Sequence, residues 1–179
     1  FLPAAWLLGK TGAADIFWAG YVVCIFLLFL VVDFEHRYVL GEVVGLAALV
    51  LILAAFSQGL PSLLRILEGG VAGLLIFLLL YLLGKGMSWA FHLGQGIEPL
   101  GFGDVILAGL VGVATGWPSV LMAILLSIIL AGLVGVVLLT VSILKGESAG
   151  NATMAYGPYL LSSGLVVYFY AGPFLNWIL

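Results

Sequence analysis

Residues 25–32 read Ile25-Phe26-Leu27-Leu28-Phe29-Leu30-Val31-Val32, and Asp33 follows directly. No face of this run is polar, so it suits neither an amphipathic helix lying on a soluble core nor a barrel strand, whose residues alternate between lipid and lumen. It is stable where every face meets hydrocarbon or other helices, which makes it part of a membrane-spanning helix. Further apolar runs bring the set to 17–32, 39–56, 70–83, 105–114, 118–144 and 159–177. A crossing takes about 20 mostly apolar residues, so these runs predict an all-α bundle of about six transmembrane helices. The fourth is short, and is expected to tilt or to begin before Asp104. Composition agrees, because a chain with 65% hydrophobic and 7% charged residues cannot cover itself with polar surface as a soluble domain of about 25% charged residues does.

The links are marked by breakers. Residues 57–62, with Gly59 and Pro61, read as a turn, and Gly116-Trp117-Pro118 as a tight hairpin between the fourth and fifth spans. The longest link is 85–103, where Met87, Trp89, Ala90, Phe91 and Leu93 lie among His92, Gln95 and Glu98 and suit the membrane interface. Gly69, Gly70 and Gly73, then Gly109 and Gly112, then Gly132 and Gly135, permit close helix approach. There is no internal repeat, so the inverted halves of many transporters are not in view, and 1–179 reads as one membrane-embedded domain. Residues 1–16 read as a remnant or an interfacial segment, and lack the basic leader and cleavage site of a signal peptide. Arg37, Lys85 and Lys145 fall on one face and Lys10 and Arg65 on the other, which favours the first as cytoplasmic. A net charge of -3 with five basic residues gives no footprint for nucleic acid. The single cysteine, Cys24, builds neither a disulfide nor a cysteine zinc site within the chain, and its expected role is packing.

The chemistry lies in two acids. Asp33 closes the first run and Asp104 opens the fourth, in Gly101-Phe102-Gly103-Asp104. Two complete crossings separate them; two is even, so both acids lie on the same face whichever way the chain inserts. An acid at membrane depth costs about 2.5–3.5 kcal/mol on insertion scales, and two on one face call for a reason. A carboxylate pair sharing one proton supplies it, since the ionised member takes a proton from water while the neutral one polarises a carbonyl. Gly101 and Gly103 are expected to let backbone approach an extended substrate closely and to permit unusual dihedrals just before the helix. A helix N-terminus favours ionised Asp104 whereas burial and a second carboxylate oppose it, which leaves the holder of the proton open. The plainer readings are Asp33 pairing with Arg37 one turn later and Asp104 as a helix N-cap. His36 and His92 read as interfacial polar residues rather than metal ligands, Asn151-Ala152-Thr153 as loop, and Trp117, Trp177 and Tyr168 as anchors or packing. Neither a metal nor an organic cofactor is expected.

An aspartate followed by Gly-x-Gly-Asp in a six-span chain resembles the type IV prepilin peptidases. Asp33-Phe34-Glu35-His36-Arg37 looks like that family's first-aspartate segment, Glu98-Pro99-Leu100-Gly101-Phe102-Gly103-Asp104-Val105 like its second, and Tyr156-Gly157-Pro158-Tyr159 is similar to the start of its last span. The resemblance implies an intramembrane aspartic endopeptidase of the inner membrane with Asp33 and Asp104 as catalytic residues and water as nucleophile. It also implies cleavage of short basic leader peptides from prepilins and pseudopilins at the cytoplasmic face, in the service of type IV pilus assembly and protein secretion. Its partners would be those precursors and membrane lipids. Glu35, on a position that is often a second acid, and Glu98 are expected to attract the basic leader. Ile106 stands where the family usually has lysine, Val39-Leu40-Gly41 replaces an Ile-Pro or Leu-Pro pair, and one cysteine cannot hold the zinc-binding cytosolic insert of many members. Methyltransferase activity is therefore left open. The presenilin-like proteases share Gly-x-Gly-Asp, but their Pro-Ala-Leu motif is not in this sequence. The alternatives are a catalytically inactive relative that binds pilin-like substrates and a small proton- or cation-coupled carrier using the same two aspartates.

Overall fold

The computed structural model describes residues 13–36, 41–90, 101–144 and 156–178. Six helices follow in chain order: α1 Ala13–His36, α2 Gly41–Gln58, α3 Leu60–Ala90, α4 Phe102–Thr115, α5 Ser119–Leu144 and α6 Gly157–Ile178. Among the described residues there is no strand.

Gly59 alone joins α2 to α3. Its φ of 107° is a conformation that costs glycine little and other residues much, so the expected 57–62 turn contracts to one residue. Pro61 falls in the first turn of α3, where a missing N–H leaves no helical bond unmade. The apolar run 70–83 marks only the middle of α3, which begins at Leu60 and continues through Lys85 to Ala90. At about 45 Å this helix exceeds a hydrocarbon core of about 30 Å, and Arg65, Glu68 and Lys85 lie toward its two ends. Residues 85–90 thus belong to α3 rather than to the link. Residues 91–100 of that link, with Phe91, His92, Leu93, Gln95 and Glu98, lie outside the described residues, as do Lys10, Arg37, Lys145 and the Asn151-Ala152-Thr153 segment.

Among the described residues three stretches are long and apolar enough to cross a membrane: Ile16–Asp33, Leu60–Met87 and Ser119–Ser142. The apolar stretches Gly41–Ser57 and Phe102–Thr115 are shorter. The short α4, about 21 Å long, is the centre of the bundle and touches α2, α3, α5 and α6. Val105, Leu107, Leu110 and Val111 are buried along it. Enclosure by other helices, rather than by lipid, is what lets so short a helix stand at membrane depth.

The tightest packing is between α3 and α4. A Cβ on Gly69 would overlap the Gly112 carbonyl, one on Gly73 the Ala108 carbonyl, and one on Gly70 would come within 2.6 Å of Val113 Cγ2. Backbone-to-backbone approach of this kind needs small residues. Gly132 and Gly135 on α5 have nothing within 4 Å of a Cβ, so the third glycine group makes no such contact here. Phe26, Phe77, Leu107, Leu110 and Leu160 form the centre of the core, while Leu27, Leu28, Leu79, Leu125 and Leu133 are exposed. An apolar exterior around an apolar interior is the pattern of a helical membrane bundle. Cys24 belongs to that exterior, being exposed.

Candidate active site

Asp33 sits in the last turn of α1 and Asp104 in the first turn of α4. Among the described residues these are the buried charged side chains, 6% and 9% exposed. Each lies within electrostatic reach of the other. The parity of two intervening helices, α2 and α3, brings the acids to one end of the bundle.

Local geometry explains why Asp104 is held there. The N-cap of α4 is Gly101, with φ -75° and ψ 144°, so Asp104 occupies the third helical position rather than the cap. From that position a short acid reaches back to the cap residue's N–H, one half of a capping box, and the Asp104 carboxylate accepts from Gly101. It also accepts from the backbone of Gly157 at the start of α6. Two helix N-termini, each with donors that lack intrahelical acceptors, therefore converge on one carboxylate.

The backbone at the two glycines of the Gly-x-Gly-Asp motif is ordinary. Gly101 has ordinary extended dihedrals and Gly103 is part of the helix; the described glycines with positive φ are Gly59 and Gly116. A Cβ on Gly101 would make only ordinary contact, 3.6 Å, with Asp104 Oδ2. Gly101 is exposed, and its N–H goes to the Asp104 carboxylate. Glu35 is exposed and does not join the buried pair, and Glu98 lies outside the described residues.

Ile106 is half-buried beside the core, and a Cβ on Gly41 would meet its Cδ1 at 3.4 Å. Ile106 on α4 and Gly41, the last residue of the Val39-Leu40-Gly41 stretch, at the start of α2, are thus close neighbours. At the same end, the Tyr81 ring of α3 lies edge-on to Phe102 at 6.0 Å, and Lys85 Nζ lies 5.8 Å from the Tyr81 centroid.

Three residues of this region had no role in the sequence reading. Tyr156 shares a 2.7 Å hydroxyl–hydroxyl hydrogen bond with Ser127 of α5, and its ring packs at a tilt against Phe77 of α3, 5.5 Å between centroids. Gly157 follows it, against both acids. Ser127, fully buried, carried a signal as a polar residue in the apolar run 118–144, and Tyr156-Gly157 stood in a quoted motif; neither pointed to the other.

Residues 20–136 match the type IV leader peptidase family. The chain is 33% identical over 136 residues to a prepilin leader peptidase/N-methyltransferase of Stutzerimonas stutzeri, covering 75% of this chain and 43% of that protein. A protein of the same description from Pseudomonas putida is 37% identical over 78 residues, 44% of this chain and 26% of the relative. One from Burkholderia pseudomallei is 26% identical over 106 residues, 59% of this chain and 31% of the relative. The chain thus spans less than half the length of these relatives. No solved structure matches it.

Proposed function

The chain belongs to the type IV leader peptidase family, and we propose that it cuts basic leader peptides from type IV prepilin-like and pseudopilin-like precursors, with Asp33 and Asp104 as its catalytic carboxylates. The observation that supports this most is the burial, at one end of the bundle, of two acids that feel each other's charge although they arise on helices far apart in sequence. A helical membrane protein has little reason to bury two acids together for stability alone.

In the proposed reaction one carboxylate is ionised and one protonated. The ionised member takes a proton from water as the water oxygen attacks the scissile carbonyl, and the protonated member donates to the carbonyl oxygen. The tetrahedral intermediate collapses when the acid that accepted the proton from water protonates the leaving amine and the C–N bond breaks, while the other carboxylate takes a hydroxyl proton back as the carbonyl re-forms, which restores the starting pair. The site is proposed to open at the cytoplasmic face of the inner membrane, because Lys85 lies at the same end as the pair and basic residues favour that side. Exposed Glu35, two residues from Asp33, is proposed together with Glu98 to attract the basic leader. The carboxylate pair supports the peptidase half of the two activities in the relatives' description and carries no argument for the methyltransferase half.

The test is cleavage of a prepilin-like peptide by the purified protein in lipid, comparing wild type with Asp33→Asn and Asp104→Asn. Each replacement is expected to fold with an unchanged melting profile and to lose cleavage by about 10²- to 10⁴-fold. If wild type cuts no prepilin, the inactive-relative reading moves ahead; if the wild type instead moves protons or cations in flux assays, the carrier reading replaces this one.

A further inference from the structure

We infer that Gly157 is a positioning residue of the carboxylate pair: its missing side chain makes the space that the Asp33 carboxyl occupies, and its N–H ties Asp104 to the same point. The inference rests on the peptidase reading above and deepens it by adding α6 to a site otherwise built from α1 and α4.

Gly157 opens α6, with the Tyr156 carbonyl accepting from Tyr159 N at 3.1 Å and Leu160 N at 3.3 Å. The Gly157 N–H is therefore one of the first-turn donors without an intrahelical acceptor, and Pro158 next to it has no N–H at all. That donor goes to Asp104. Glycine is not required here by the backbone, since the positive-φ glycines are elsewhere. In a helix it is worse than alanine by about 1 kcal/mol, so another reason must hold it. The reason is space: Gly157 is buried, and a Cβ there would overlap Asp33 Oδ2, reach 2.9 Å from Asp33 Cγ and stand 3.1 Å from Leu107 Cδ1. Leu107 is fully enclosed in the core, which makes the carboxyl the softer neighbour. Nor is the start of α6 free to back away, because Tyr156 is held by Ser127 on one side and Phe77 on the other. Alanine at 157 therefore displaces the Asp33 carboxyl more readily than it displaces a helix.

The test uses the full chain in lipid. Gly157→Ala is expected to lower kcat for a prepilin-like peptide by about 10²-fold, the cost of misplacing a reacting group by about 1 Å, with KM within a few-fold of wild type. In parallel, the thermal midpoint is followed for Gly157→Ala with Asp33 present and on an Asp33→Ala background. The alanine is expected to lower the midpoint in the first and to leave or raise it in the second, where the contested space is vacant. Wild-type kcat in Gly157→Ala, or the same thermal shift on both backgrounds, would overturn the inference. So would failure of both alanine variants to fold. The thermal comparison needs no substrate, so it stands or falls separately from the peptidase reading, which is tested by wild type against Asp33→Asn.

Discussion

A carboxyl group removed from water must be compensated, and for Asp104 the partners are the N–H groups of Gly101 and Gly157. The two acids themselves were legible in the sequence, because an acid at the edge of an apolar run is conspicuous and parity puts both on one face. The residues that brace them were not. Tyr156 and Ser127 are separated by 29 positions, and no periodicity or spacing rule connects a residue before α6 with the middle of α5. Tyr156→Phe is expected to cost about 1 kcal/mol or less, the usual worth of one hydrogen bond inside a membrane protein. The cost stays small because Ser127 Oγ keeps its 2.7 Å bond to the Ile124 carbonyl. Unfolding in mixed micelles measures it, and a loss several times larger would mean that the phenol anchors the start of α6 by more than this bond.

At the scale of helices, the contact between α3 and α4 carries the most stringent geometry. Gly112→Ala places a Cβ into the backbone of Gly69, 2.6 Å from its carbonyl carbon, and a backbone cannot step aside as a side-chain tip can. We expect a loss of about 1–3 kcal/mol, the range of overpacking in tight interiors, read from a lowered thermal midpoint. Gly132→Ala on α5 meets nothing within 4 Å and is expected to be neutral or to gain up to about 1 kcal/mol of helix propensity. Equal effects at the two sites would contradict the packing described. The glycine groups were visible in the sequence, yet their pairing was not, since Gly69 and Gly112 look no different there from Gly132 and Gly135. Helix ends were also displaced for a physical reason. Apolar runs locate the hydrocarbon core, whereas a helix continues beyond it for as long as its backbone is paired, as α3 does through Arg65 and Lys85.

For the whole molecule, the exposed leucines of α1, α3 and α5 require lipid around the bundle and place its two ends in water. In a Cys24→Ser background, single cysteines at Lys85 and at Trp117, both exposed and at opposite ends of the fold, are expected to react with an impermeant maleimide from opposite sides of sealed vesicles. Labelling of both from one side would break the topology, and with it the shared face of Asp33 and Asp104. From the sequence alone one could determine the solvent of this protein, its all-helical class, the approximate number of its helices and that its two acids lie at one end of the bundle. Those follow from hydropathy and parity, which are properties of the chain in order. Only the tertiary structure decided that the shortest helix lies at the centre, that α3 and α4 touch backbone to backbone, and that the start of α6 closes on the carboxylates. Such contacts join residues distant in sequence, and their strength depends on a few tenths of an ångström, which the order of residues does not encode locally.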